Sequence, residues 1–479
     1  MATPQPAVRS LLGRGSILTL ATAAQMSSAI LVLPFVTRLL TSAEFGQAAT
    51  GVVVTQVLMH LVVLGLPSAV TLEYFDGRGG LTAARSLIVA SVLVAAVMAG
   101  VIDLLGPFWA DAVFSGLSYD LPLRVAVWTT VPMALVLAVQ SLLPSLHRTG
   151  RFVVVTIVAT AGSQLTGLAL ITFLRPSASV YLAGVAGGLA AAGLLGLAFT
   201  GLDASRLRDR QLLRSAFRVA IPTVPHAMAI FVVAAGDRIL VERLAGINAV
   251  ARYQVAYVVG AVGLTVAGAL NNAWAPLIYG AGDEHRWHVL ADTTAALYQL
   301  AGLLAAAVAV GCPIALLVLA PGSYQPLTLT ATSAVVALSL VAYVGYLSNA
   351  HPIFQLRRVW PLAWITPLSA VLNIVLNLLL VPRLGLVGAA YATVATYGAQ
   401  AWLVRRARRK LVDIPWRPTV ATKAWAVAAA GVAIGAVLPT TDAWLVFRGL
   451  AAAGLLAAFA TRVVRLVRPA PAPTVAIAA

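Results

Sequence analysis

The chain has 479 residues, 61% of them hydrophobic and only 10% charged, yet its net charge is +17. That much apolar surface exceeds what a soluble core of this size can hide, which excludes a soluble globular protein. The basic excess sits between apolar runs, so it calls for no nucleic acid as a partner.

In chain order, apolar runs cover approximately residues 16–38, 48–70, 86–106, 122–144, 152–174, 178–200, 216–236, 248–270, 292–319, 327–349, 361–381, 386–404, 420–438 and 443–464. These are about fourteen segments, each near the roughly 20 residues that cross a bilayer as a helix. They are longer and more continuously apolar than barrel strands, which alternate over roughly ten residues. The predicted fold class is therefore an all-α polytopic membrane bundle. Arg9 and Arg14, with Ala21-Thr22-Ala23 beyond them, give a superficial match to a cleavable signal. The run continues to Val36, far past a signal core, so it is expected to stay as the first span. The single cysteine, Cys312, lies within a span and reads as a small packing residue. From Pro469 the sequence Pro-Ala-Pro-Ala-Pro predicts a disordered tail over 468–479.

Basic residues fall in alternate gaps. With the amino terminus inside, the inner gaps hold most of the 32 Lys and Arg, and Arg38, Arg124, Arg175, Arg238, Arg243, Arg252, Arg383 and Arg448 lie at or near the outside. Both termini are then expected in the cytoplasm. The run Arg405-Arg406-Ala407-Arg408-Arg409-Lys410 reads as a topology anchor touching anionic lipid headgroups. No gap exceeds roughly 20 residues, which leaves no room for a soluble catalytic or nucleotide-binding domain. No phosphate-binding loop, H-E-x-x-H or metal-ligand cluster is present in the sequence, so no catalytic residue, metal or cofactor is expected and the chain does not read as an enzyme.

A repeat is visible. The first span ends Val36-Thr37-Arg38-Leu39-Leu40 and the seventh ends Gly236-Asp237-Arg238-Ile239-Leu240, and both contain proline, Pro34 in one and Pro222 and Pro225 in the other. Helix breakers at related places in two halves point to a transporter site, because freed backbone groups must face protein or water. Six spans separate the two starts, which implies parallel halves: a first lobe over 1–205, a second over 206–412, and a final helix pair over 413–467.

The stretch Leu33-Pro34-Phe35-Val36-Thr37-Arg38-Leu39-Leu40-Thr41-Ser42-Ala43-Glu44-Phe45-Gly46, followed by Leu64-Gly65-Leu66, resembles the opening of polysaccharide flippases of the multidrug/oligosaccharidyl-lipid/polysaccharide (MOP) exporter superfamily. Ala220-Ile221-Pro222-Thr223-Val224-Pro225, Asp237-Arg238-Ile239-Leu240 and Tyr253-Gln254-Val255-Ala256-Tyr257 are similar to that family's seventh and eighth spans. Asn373 to Asn377 and Pro382 to Ala390 resemble its eleventh and twelfth. The resemblance implies two lobes around a central cavity that opens alternately inward and outward in the bacterial plasma membrane. It further implies an isoprenoid-pyrophosphate-linked oligosaccharide as cargo, and polysaccharide assembly enzymes as partners. Glu73 departs from the pattern, standing where a basic residue is expected in many relatives.

For such a cargo, Arg38 and Arg238, one per lobe, are candidate forked donors to phosphate, with snorkelling to the outer boundary as the alternative. Asp237 tunes that charge, accepts a sugar hydroxyl, or pairs locally. Asn271, Asn272 and Trp274 are candidate sugar contacts, set against interhelical hydrogen bonding and interface anchoring. Asp103 and Asp237 are the acids to test for ion coupling. Asn373 with Asn377, Gln25, Gln140, Gln164, His60 and His226 read as packing or interhelical residues. Gly184 with Gly188 and Gly431 with Gly435 carry small-xxx-small spacing. Three alternatives stay open: cation-coupled drug export, flipping of a lipid II-type precursor, and membrane polysaccharide polymerisation. The first would place carboxylates in spans one and two, where Glu44 alone precedes Glu73, and the last a large outer loop, whereas the longest outer gap is about residues 107–121.

Overall fold

In hydrocarbon a backbone must satisfy its own polar groups, and within the described residues the apolar runs are helical. The computed structural model describes residues 30–75, 79–221, 224–282 and 285–467, apart from the side chains of Pro225, His226, Ile230, Ala273, Pro276 and Val467. Arg9, Arg14, Gln25, Arg78, Pro222, Thr223, the start of the first span and the tail over 468–479 lie outside the described residues.

Helices α1 (Ile30–Leu39), α2 (Ser42–Val63), α3 (Leu66–Phe75), α4 (Gly80–Leu104), α5 (Gly106–Val113), α6 (Leu121–Leu142), α7 (Thr149–Phe173) and α8 (Ala178–Thr200) form the first lobe. A linker helix, α9 (Arg210–Ala220), leads to α10 (Val224–Ala235), α11 (Asp237–Ala245), α12 (Ile247–Gly260), α13 (Val262–Tyr279), α14 (Arg286–Leu319), α15 (Thr330–Gln355), α16 (Trp360–Leu384) and α17 (Leu386–Arg409) of the second. The pair α18 (Pro418–Val437) and α19 (Asp442–Val467) follows. Among the described residues, ten helices are long and apolar enough to cross a bilayer, and an eleventh span arises if the bent pair α12–α13 is counted as one. Large apolar side chains such as Leu104, Phe173 and Val437 are exposed, as a lipid-facing surface requires.

Three expected runs are divided, that over 248–270 at the 54° bend between α12 and α13. The run over 48–70 breaks between α2 and α3, where Leu64 takes a left-handed φ of 48°. The run over 216–236 splits because α9 is an amphipathic surface helix bearing Arg210, Arg214 and Arg218. Its N-cap, Asp209, accepts the backbone N–H groups of Gln211 and Leu212 at 3.0 and 3.1 Å. It packs on α3, where the Ser215 hydroxyl donates to Glu73 at 2.7 Å. Glu73 thus holds the linker to the first lobe.

Within the first lobe α6 packs on α2, α4 and α8, and α8 crosses α7 where a Cβ on Gly188 would stand 2.4 Å from the Ser163 Cα. In the second lobe α15 and α16 both pack on α17. Helices α18 and α19 lie against α14, and a Cβ on Gly435 would stand 2.4 Å from the Ala309 carbonyl oxygen. Both small-residue pairs therefore mark close helix approach. Asn373 and Asn377 are buried and join α16 to α17, with the Asn373 amide donating to the Thr396 hydroxyl at 3.3 Å.

The lobes meet along α2 and α12 and are sealed at one end. There Gly46 abuts the Ile247 backbone, Ser42 donates to Asn248 Oδ1 at 2.8 Å, and the Tyr324 hydroxyl reaches the Leu40 carbonyl at 3.3 Å. The buried Glu242 carboxylate accepts the backbone N–H of Ser115 at 3.2 Å and of Gly116 at 3.0 Å. Arg243 donates to the Ala112 carbonyl at 2.7 Å. Among the described residues, the side-chain hydrogen bonds between the two lobes lie at this arginine-poor end, apart from those that tie the linker to the first lobe, from Ser215 to Glu73 and from the Arg206 backbone N–H to the Ser86 hydroxyl.

Candidate functional site

The hairpin of α11 and α12 builds the site's charged centre. Gly246, at φ 85°, makes a turn that costs most side-chain-bearing residues strain, and it reverses the chain between the two helices. Residues at similar distances from the turn come face to face: Arg238 and Gln254 each stand eight residues from Gly246, and Asp237 and Tyr253 nine and seven. Arg238 Nε donates to Gln254 Oε1 at 3.1 Å, and the Tyr253 hydroxyl donates to Asp237 Oδ2. Arg238 Nη1 donates to Asp237 Oδ1 at 2.8 Å and to the Ala234 carbonyl at 3.0 Å. The guanidinium lies over the Tyr257 ring, 3.9 Å from its centroid. Thr393 of α17 closes the network with a bond to Asp237 Oδ2 at 3.5 Å. Nη2 of Arg238 has no hydrogen-bond partner among the described residues. Eight residues of helix put Arg238 about 12 Å from the turn.

Arg238 forms part of the wall of a 580 Å³ cavity between the lobes. The opposite wall comes from α2, α6, α7 and α8 and presents Gln56, Gln140, Gln164, Thr129, Thr156, Thr160 and Ser163. Among the described residues, Arg238 is the only charged one lining it. Helix α7 carries a π-turn at Val158–Gly162, which brings Ala159 and Thr160 to the wall. Ala234, which accepts from Arg238, also lines a second cavity of 360 Å³ inside the second lobe. That cavity is aromatic and polar, with Tyr279, Tyr343, Tyr346, Tyr397, Gln400, His351 and Asn271 on its walls. His351 Nε2 and Asn271 Oδ1 are both buried without a partner among the described residues. A ligand hydroxyl can satisfy either, and tyrosine faces suit a sugar ring.

The residues singled out from sequence separate. Arg238 and Asp237 form the charged centre and Asn271 lines the second cavity. Arg38 stands apart from both cavities: its Nη2 donates to the Val318 carbonyl at 3.0 Å and its Nη1 to the Pro34 carbonyl at 2.7 Å, so it satisfies a C-terminal carbonyl of α14 and braces itself on its own helix one turn back. Asn272 is exposed and lines neither cavity. Trp274 is 1% exposed, donates to the Thr293 hydroxyl at 2.8 Å and packs edge-on to His351. Asp103 makes a two-point ion pair with Arg124, both contacts 3.1 Å, and accepts the Tyr119 hydroxyl at 2.6 Å, all within the first lobe. Gln140 and Gln164 line the central cavity, bonded to Thr156 and Tyr181.

Sequence reasoning missed Glu242, His351 and the tyrosines of the second cavity. The 16-residue pairing of Asp237 with Tyr253 and of Arg238 with Gln254 was open to it, given a hairpin centred on Gly246. The tyrosines come from α13, α15 and α17, and only helix packing gathers them.

No curated protein matches the chain at a significant level. Solved structures share its fold. Lipid II flippase MurJ in an inward closed conformation superposes with a TM-score of 0.67 at 13% identity, over 94% of this chain and 99% of that one. An inward-facing multidrug resistance MATE family transporter of the MOP superfamily gives 0.60 at 14%, over 87% and 96%. A MOP superfamily transporter from Pyrococcus furiosus Vc1 gives 0.59 at 13%, over 85% and 96%. The fold is thus that of MOP superfamily transporters. The sequence profile of the family described as polysaccharide biosynthesis protein matches residues 11–280. More than half of the sequence lies within that match, and the chain belongs to the polysaccharide biosynthesis protein family.

Proposed function

We propose that this protein is a flippase: it moves an isoprenoid-pyrophosphate-linked oligosaccharide from the inner to the outer leaflet of a bacterial plasma membrane by alternating access, and is not an enzyme. One observation carries the reading. Among the described residues, Arg238 is the only charge on the wall of a cavity that otherwise offers amides, hydroxyls and apolar surface. A guanidinium with an open Nη2 suits a phosphate oxygen, and it stays in place because Asp237, Gln254 and Tyr257 hold its other sides. Asp237 positions the arginine, and Asn271 and the tyrosines of the second cavity take sugar. The lobes, over 1–205 and 206–412, exchange the end at which they are sealed. The arginine-rich ends and both termini face the cytoplasm.

The test is the sidedness of lipid-linked oligosaccharide in cells depleted of the protein. Accumulation on the cytoplasmic face, cleared by wild type, reduced with Arg238→Lys and not cleared by Arg238→Ala, is the expected result. Accumulation on the outer face, or none, overturns the reading. Mass analysis of the accumulated species names the sugar.

A further inference from the structure

Arg408 belongs to a run of cations, yet it does not behave as a solvated anchor. It is 1% exposed and points between helices, whereas Arg406 and Arg409 beside it are exposed. Its Nε donates to Asn349 Oδ1 at 3.3 Å and its Nη1 to the Val412 carbonyl at 3.1 Å, and it lies 5.5 Å from the Trp416 ring. No carboxylate among the described residues pairs with it. Asp413 acts on it only from beyond ion-pair distance, and a buried cation without a close counter-ion is costly, a cost that falls when an anion sits beside it.

A 460 Å³ pocket adjoins Arg408, bounded by α14, α15, α17, α18 and the 410–417 connection. It lies across α15 from the tyrosine-lined cavity, because Ala342, Gly345 and Asn349 face it while Tyr343, Tyr346 and Ala350 face the other. Two further polar atoms on its lining residues are buried without a partner: Trp416 Nε1 and Thr294 Oγ1, the latter on a residue 2% exposed. The indole nitrogen can only donate and the hydroxyl can do so. At the mouth, Arg405 makes no hydrogen bond to a described residue, and Arg417 pairs with Asp292 at 2.9 Å. Unmatched groups that donate, converging from several directions around a buried guanidinium, call for an acceptor with several charged oxygens.

We infer that this pocket binds a phosphate-bearing anion, seated between Arg408, Arg405, Trp416 and Thr294, at a site separate from the cargo cavity. A lipid headgroup and a soluble phosphate share that chemistry. The exposed Trp402 ring on the rim and the apolar outer face of α17 give acyl chains a surface to follow.

Purified, delipidated full-length protein is titrated with phosphatidylglycerol, with phosphatidylcholine and, separately, with inorganic phosphate, reading bound ligand by native mass spectrometry and thermal stability. Trp416→Phe and Thr294→Val each remove one polar group while keeping shape, and Arg405→Gln removes the mouth cation. Arg408→Gln is kept as a fourth variant because its folding is the most exposed to damage. Preferential binding of phosphatidylglycerol, weakened about fivefold by each of the first three changes with phosphatidylcholine unaffected, supports a headgroup site. Stabilisation by inorganic phosphate that the same variants abolish supports the site with a soluble ligand. Wild-type affinity in Trp416→Phe, Thr294→Val and Arg405→Gln, or no binding of either anion, overturns the inference. None of these readouts involves cargo transport, so the result is independent of the flippase reading.

Discussion

Glu242 joins the lobes where the cavity is sealed, and Glu242→Gln isolates its contribution. The wild-type carboxylate is fully buried and accepts two backbone N–H groups of the other lobe, from Ser115 and Gly116. A hydrogen bond to a charged group contributes about 1.5–3 kcal/mol. Glutamine keeps the shape and one acceptor oxygen, but turns an NH2 group toward the second backbone N–H. The change removes one charge-assisted bond, weakens the other and opposes two donors. We expect a loss of about 2–3 kcal/mol from the sealed state, roughly a 30- to 150-fold shift in the ratio of sealed to open molecules. The assay is the distance distribution between spin labels at Asp111→Cys and Ala245→Cys, both exposed positions on opposite lobes, in a Cys312→Ala background. A longer-distance population should appear in Glu242→Gln. If the distribution matches that of the labelled parent within twofold, Glu242 is not what holds this end shut.

Three further outcomes follow from contacts described above. Arg38→Ala should leave clearance of the cytoplasmic intermediate intact while Arg238→Ala abolishes it, because Arg38 is committed to the Pro34 and Val318 backbone carbonyls; loss of clearance in both would return Arg38 to the cargo path. Gly188→Val should cost more than the about 1–3 kcal/mol typical of overpacking, read as a fall in thermal stability in detergent, since its Cβ would meet the Ser163 backbone, and an unchanged midpoint would contradict the α7–α8 packing. The backbone N–H of Leu212, then the Arg206 guanidinium, hold the Asp209 carboxyl below the usual carboxylate range. A depressed folded value means that its support of α9 is present above the unfolded value and is lost as pH falls through the folded one; protection of the Gln211 and Leu212 amides, measured against their intrinsic exchange rates, should therefore fall only below about pH 4, and in Asp209→Ala should be reduced at every pH.

Much of this protein is legible in the chain because hydrocarbon is an unforgiving solvent. A run of apolar residues long enough to cross it has one local answer, so Ala178–Thr200 and Leu386–Arg409 begin where hydropathy places them. Spans broke where a single dihedral intervened, as at Leu64, or where charge turned a helix to the surface, as in α9. The Asp237-Arg238 pair was also visible, because a charge at membrane depth is rare and stands out. Its counterpart in the repeat sits differently: Arg38 occupies the same place, but α14 ends beside it and accepts from its guanidinium, a contact across 280 residues that no local pattern carries.

By itself, then, the sequence determined the solvent, the helices and their order, since each depends on residues near one another. The tertiary structure alone decided which polar residues share a cavity. Arg238 faces Gln56 and Gln140, Glu242 reaches Ser115, and Arg408 turns away from its cationic neighbours toward Asn349. Each of these depends on how helices rotate and cross, and that is set by small residues such as Gly188 and Gly435 through close packing rather than by hydropathy.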